Sequence, residues 1–234
     1  MAISGKCDPK FQQVAEEFER NFLERGEVGA SVSITIEGEK VVDLWGGTAN
    51  IQSQTKWEED TVSIVWSCTK GATALCSHIL SSRGELDIDA PVIKYWSEFG
   101  KAGKENITVK MLLNHQAGLA AIRKPLPDGA YSDWDLMIRS LEEETPFWEP
   151  GTRNGYHALT FGWLVGEVVR RVSGKSLGQF FQDEVAGPLG IDFWIGLPEE
   201  IEPRVAKMIM AEPQMDSPFY KAIFEPNTVQ SFIF

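Results

Sequence analysis

Apolar side chains recur along this chain in two periods. Phe11, Val14, Phe18 and Phe22 fall three or four positions apart, the spacing of one helix face, and Gly26 follows as a stop. The period then drops to two. Val32, Ile34 and Ile36 alternate with Ser31, Ser33 and Thr35, which predicts a half-buried strand. Glu37-Gly38-Glu39 reads as a hairpin turn, with Val41 to Trp45 as the returning strand.

From Ser67 onward the helical period dominates. "TKGATALCSHILSS" places Ala72, Leu75, Cys76, Ile79 and Leu80 on one face and ends at Arg83-Gly84. "ITVKMLLNHQAGL" predicts a shorter helix, capped by Thr108 and ending near Gly118. "YSDWDLMIRSLEEE" starts from Ser132 as cap, "ALTFGWLVGEVVRRVSG" stops at Gly174, and "SLGQFFQDEVAGPLG" follows from Ser176. Strands followed by a block of helices predict an α+β architecture, not a doubly wound sheet. Two or three strands make a poor sheet by themselves, so a pairing partner for them is expected beyond the apolar ending "QSFIF". The expected organisation is one incomplete domain over 1–234: helix and strands in 1–66, a helical region in 67–187, and an irregular segment in 188–234.

Composition narrows the function classes. The 234 residues are 43% hydrophobic and 24% charged, the balance of a globular protein. A formal net charge of −12 with no basic stripe disfavours a phosphate backbone, so no nucleic-acid partner is expected. The start "MAISGKCDPKFQQ" carries no signal-peptide pattern, and no window approaches the roughly 18 apolar residues of a membrane span. Cys7, Cys68 and Cys76 are odd in number and lack metal-type spacing. His78 and Cys76 lie two apart and would point to different sides of a helix, so no metal site is expected there. Reduced thiols and a cytoplasmic location fit this picture.

One tetrapeptide suggests chemistry. "SCTK" at 67–70 ends an apolar run and opens a predicted helix. The Ser67 N–H would lie near the positive end of a helix dipole, and Lys70, three residues on, would share its face. Neighbouring Trp66, Gly71 and Ala74 offer little water, which favours the neutral amine of a general base. A serine N-cap followed by a solvent-facing lysine produces the same pattern, and "SQTK" at 53–56, in a polar stretch, shows that it recurs by chance.

The surrounding phrases add what the tetrapeptide lacks. "SCTKGATAL", "DAPVIKYWSEFG", "ITVKMLLNHQAGL" and "PGTRNGYHALTFGWLVGEVVRRVSGKSLGQFFQDEVAGPLG" resemble, in order and spacing, the serine β-lactamase-like hydrolases. They are most similar to the family VIII carboxylesterases, relatives of class C β-lactamases and penicillin-binding proteins. The resemblance implies a β-lactamase/transpeptidase-like fold, an antiparallel sheet with a helical domain, from which the C-terminal sheet strands would be absent here. It implies Ser67 as acyl-forming nucleophile, Lys70 as its partner, and Tyr156 of "GYHAL" as the base that deprotonates the serine and later activates water. A phenol pKa near 10 is too high for a base at neutral pH, but an adjacent ammonium lowers it, so Tyr156 and Lys70 form one coupled unit. His157 and Trp66 are candidates for shaping the substrate pocket, and His115 matches a helix end with a structural part.

Two departures carry weight. Where related β-lactamases have an asparagine two residues after the tyrosine, this chain has Ala158, which disfavours lactam recognition and leaves ester hydrolysis. The family's third motif, a Lys/His/Trp-x-Gly strand that supplies the second oxyanion N–H, has no counterpart before Phe234. The resulting expectation is a serine carboxylesterase acting on short-chain esters through an acyl-enzyme, with a small-molecule substrate, no cofactor and an open oligomeric state. A β-lactamase or acyltransferase of the same fold, or an inactive fragment, stands as the alternative.

Overall fold

The structure is a computed structural model describing residues 3–210 and 212–233, which fall into two units. The first, 3–64 with 197–210, is built on an antiparallel sheet. Its strands are β1 (Ile3–Cys7), β2 (Gly29–Ile36), β3 (Glu39–Asn50) and β4 (Thr55–Lys56). The long β3 lies between β1 and β2, and β4 pairs with its far end. Between β1 and β2 runs helix α1 (Gln12–Glu24). Its Phe18 is buried with Val42 and Leu44 of β3, and Val14, Phe22, Val32 and Ile34 pack around them. The two periods in the sequence thus meet: the period-two face of the hairpin carries the period-3.6 face of the helix.

Three features of this unit differ from expectation. β1 lies in a stretch with no strand pattern, because its residues are mostly exposed and pairing with Val42 to Gly46 alone defines it. The hairpin turn is the pair Glu37-Gly38, both at positive φ (51° and 84°), the two-residue geometry that matches strand twist. The stretch around Val205 is extended, not merely irregular: Val62 pairs with Val205 in parallel, and Lys207 N–H donates to the Ala49 carbonyl at 2.8 Å.

The second unit, 65–196 with 212–233, is helical. It contains α2 (Thr69–Ser82), α3 (Val109–Leu113), α4 (Trp134–Glu143), α5 (Thr160–Ser173), α6 (Leu177–Phe181), α7 (Gly187–Leu189), α8 (Pro218–Phe224) and α9 (Val229–Ile233). On α5, Leu164, Val165, Val168 and Val169 are buried at helical spacing against Cys76 and Leu80 of α2, Trp96, Phe99 and Phe180. Gly174 closes α5 in the left-handed conformation, φ 73°, as the sequence predicts. Leu75, expected on the inner face of α2, is exposed, and Thr73 and Ser77 take the buried positions. The cap of α4 is Asp133, not Ser132, because Ser132 belongs to the preceding 3-10 turn and only Asp133 is extended enough to accept from Leu136 N–H, at 2.9 Å. α3 ends at Leu113, well before Gly118, where His115 turns the chain with φ 63°. No helix among the described residues is long and apolar enough to cross a membrane, and Cys7, Cys68 and Cys76 are free thiols.

Candidate active site

Ser67 sits in a 3-10 turn, Trp66–Cys68, that runs directly into α2. Trp66, immediately before it, holds φ 47°, a left-handed backbone that a bulky residue rarely adopts. Both residues face solvent, and Trp66 is 65% exposed. The dry surround expected of Trp66 and Gly71 is therefore not there. The groups that enclose Lys70 come from elsewhere in the chain.

Lys70 lies in the first turn of α2, half-buried. Its Nζ donates to Ser67 Oγ at 3.1 Å and to the Ala158 carbonyl at 2.7 Å. It also stands 4.9 Å from the centre of the Tyr156 ring and 5.8 Å from that of Phe161. The three-residue spacing supplies the first bond, since residues three apart share a helix face. Tertiary packing supplies the rest.

Tyr156 sets its ring 4.9 Å from Lys70 Nζ, and its hydroxyl lies near enough to Ser67 and Lys70 for both to act on its pKa. Partial burial raises the phenol pKa, but the Ser67 and Lys70 hydrogen bonds and the Lys70 charge outweigh it, and the net position is below the ordinary 10. A serine hydroxyl, a lysine amine and a phenol of lowered pKa thus lie together. Such a set can move the serine proton to the phenolate while the lysine charge steadies it.

The loop that carries Tyr156 is tied down on both sides. Gly155 N–H donates to the His115 carbonyl at 3.1 Å, and His157 N–H donates to His115 Nδ1 at 3.1 Å. Asn154 Nδ2 donates to the Asn114 carbonyl. Trp148 closes the loop from the side: its Nε1 donates to the Arg153 carbonyl at 3.1 Å, and a Cβ added at Gly155 would meet its ring at 2.4 Å.

Of the residues singled out from the sequence, Ser67, Lys70 and Tyr156 come together, and Trp66 stands exposed beside the serine. His157 does not line a pocket. It is wholly buried, its Nε2 accepts from Leu119 N–H at 3.0 Å, and its Nδ1 faces the Gly155 carbonyl at 2.6 Å. Both ring nitrogens are committed to backbone, which leaves none for a substrate. Burial, above all, pushes its pKa down to about 4, so it is neutral. The second Ser-x-x-Lys pattern is a turn: Ser53 Oγ pairs with Thr55 Oγ1 at 2.7 Å, and Lys56 is exposed on β4. The Ala158 carbonyl escaped the sequence, and His115, read from it only as a structural helix end, has its ring centre 5.0 Å from that of Tyr156. The contact of Lys70 with the Ala158 carbonyl has no local signature.

The beta-lactamase family profile matches residues 12–223. The chain belongs to the beta-lactamase family. Esterase/beta-lactamase LipL of Mycobacterium tuberculosis is 38% identical to this beta-lactamase family chain over 215 residues, covering 90% of the chain and 49% of that protein. Esterase EstB of Burkholderia gladioli is 30% identical over 191 residues, covering 74% of the chain and 48% of EstB. Among solved structures, a family VIII carboxylesterase superposes with TM-score 0.84 at 46% identity, covering 89% of this chain and 58% of its own. A penicillin-binding protein homologue from Caulobacter crescentus gives TM-score 0.87 at 40% identity, covering 92% and 58%. The α+β, β-lactamase-like fold is therefore established, and the chain spans about half the length of the curated relatives it matches.

Proposed function

We propose that this chain carries the nucleophilic half of a serine carboxylesterase that hydrolyses short-chain esters through an acyl-enzyme on Ser67. The carrying observation is the grouping of Ser67, Lys70 and Tyr156, with Lys70 Nζ 3.1 Å from the serine oxygen and 4.9 Å from the centre of the tyrosine ring. In this reading the Tyr156 phenolate, held in that state by the Lys70 ammonium, takes the Ser67 proton as Oγ attacks the acyl carbonyl. The developing oxyanion turns toward the Ser67 N–H at the head of α2. The leaving alcohol recovers the proton from Tyr156, which then takes one from water as the water oxygen attacks the acyl carbonyl. Tyr156 returns that proton to Ser67 Oγ as the C–Oγ bond breaks and the acid leaves. A second oxyanion donor is assigned to the part of the relatives' length that this chain does not cover. Trp66, beside the nucleophile, is assigned a place against the ester's alcohol side.

Ester hydrolysis is preferred to lactam hydrolysis on one observation. At residue 158 only a backbone carbonyl faces the site, and it is occupied by Lys70 at 2.7 Å. An alanine side chain offers no group to hold a lactam's amide.

The test is intact-mass measurement after exposure to a fluorophosphonate, with Ser67→Ala in parallel. One adduct on the wild type and none on the variant is the expected result, followed by faster turnover of p-nitrophenyl acetate or butyrate than of a long-chain ester or a chromogenic cephalosporin. A folded wild-type protein that takes up no probe would overturn the reading.

A further inference from the structure

Both chain neighbours of Tyr156 are bonded to one residue. The His115 carbonyl accepts from Gly155 N–H at 3.1 Å, and its Nδ1 accepts from His157 N–H at 3.1 Å. Its ring also packs against the tyrosine, centre to centre 5.0 Å, with Phe161 on another side at 5.1 Å. We propose that His115 is a positioning residue for the base: it fixes the backbone on either side of Tyr156 and the tilt of its ring, and so delivers the phenol to Ser67 and Lys70. The proposal rests on the reading of Tyr156 as base given above.

The chemistry of the imidazole makes the arrangement specific. To accept from an amide N–H, Nδ1 must keep its lone pair, so the ring is neutral and its proton is on Nε2. A protonated ring would turn a donor toward the His157 N–H and set a second positive charge beside Lys70. The titratable groups around the ring are Lys70, Tyr156 and His157. Burial, then the Lys70 charge, hold the His115 pKa below 6.5, consistent with a ring that stays neutral. The backbone at 115 is left-handed, φ 63°, a conformation that His and Asn tolerate better than most residues. Asparagine is thus the informative replacement, because its Oδ1 can take the place of Nδ1 while the ring is lost. Alanine removes both.

The experiment uses the full chain and two readouts. The first is the Tyr156 phenol titration, taken as the wild-type tyrosinate absorbance minus that of Tyr156→Phe, which needs no turnover. The second is the rate of Ser67 labelling by a fluorophosphonate. His115→Ala is expected to move the phenol midpoint up toward 10 and to slow labelling by up to about 10²-fold, the scale of a misplaced catalytic group. His115→Asn is expected to restore the midpoint and most of the rate. An unchanged midpoint in a folded His115→Ala overturns the proposal, as does an Asn variant no better than Ala. If His115→Ala does not fold, nitrogen NMR of the wild type decides, since the chain has only three histidines. A neutral His115 protonated on Nε2 supports the clasp, and one protonated on Nδ1 overturns it. A wild type that resists the probe yet shows the shifted, His115-dependent phenol would sink the esterase reading and leave the positioning intact.

Discussion

Lys70 holds two oxygens at once, the Ser67 hydroxyl and the Ala158 carbonyl, and its charge sits 4.9 Å from the Tyr156 ring. In the proposed mechanism it steadies a phenolate and Tyr156 transfers the proton. On that mechanism, replacing Tyr156 by Phe removes the group that takes the proton, and Lys70→Met removes the charge that makes it available. Each variant is expected to label with a fluorophosphonate roughly 10²–10⁴-fold more slowly than wild type, with little change in melting temperature. The phenol pKa lies below 10, so labelling of the wild type is expected to rise with pH as phenolate forms and to level off before pH 10. In Tyr156→Phe that limb should be gone. A limb that persists would mean another base.

At the scale of elements, the site depends on two loops locked together more than on the helices they leave. Gly155 admits the Trp148 ring so closely that a Cβ would overlap it at 2.4 Å. Gly155→Ala must therefore push the Tyr156 loop or the indole aside. Loss of Ser67 labelling on the order of 10²-fold with an unaltered far-UV circular dichroism spectrum is expected. The start of α4 offers a purely structural comparison. Asp133→Ala removes the acceptor of the Leu136 N–H and is expected to cost about 1 kcal/mol in denaturant unfolding, whereas Ser132→Ala should change almost nothing.

For the whole molecule, acid stability should report the buried His157. Its pKa is about 4 in the folded protein, against an ordinary value of 6.5. The unfolded chain therefore binds a proton that the folded chain refuses. Stability from this group is fully present above pH 6.5 and is lost as pH falls toward 4, by about 3 kcal/mol in all. Urea unfolding at steps between those limits should show the decline, and His157→Gln should flatten it. A slope unaffected by that variant would place the proton uptake elsewhere.

The sequence by itself determined what depends on neighbours along the chain. The period-two and period-3.6 patterns located α1, the β2–β3 hairpin, α2 and α5, because side-chain burial on one face is written into spacing. The same logic placed Lys70 over Ser67, one helical turn away. Tyr156 was reachable only through resemblance, since nothing local sets that tyrosine apart from Tyr95, Tyr131 or Tyr220. The tertiary structure alone decided the remainder. Lys70 meets the Ala158 carbonyl across 88 positions, and His115 meets His157 across 42, contacts that no periodicity encodes. The same packing turned His157 inward and brought His115 against Tyr156. Which histidine touches the site follows from where two loops are bonded to each other, and that is a property of the folded chain.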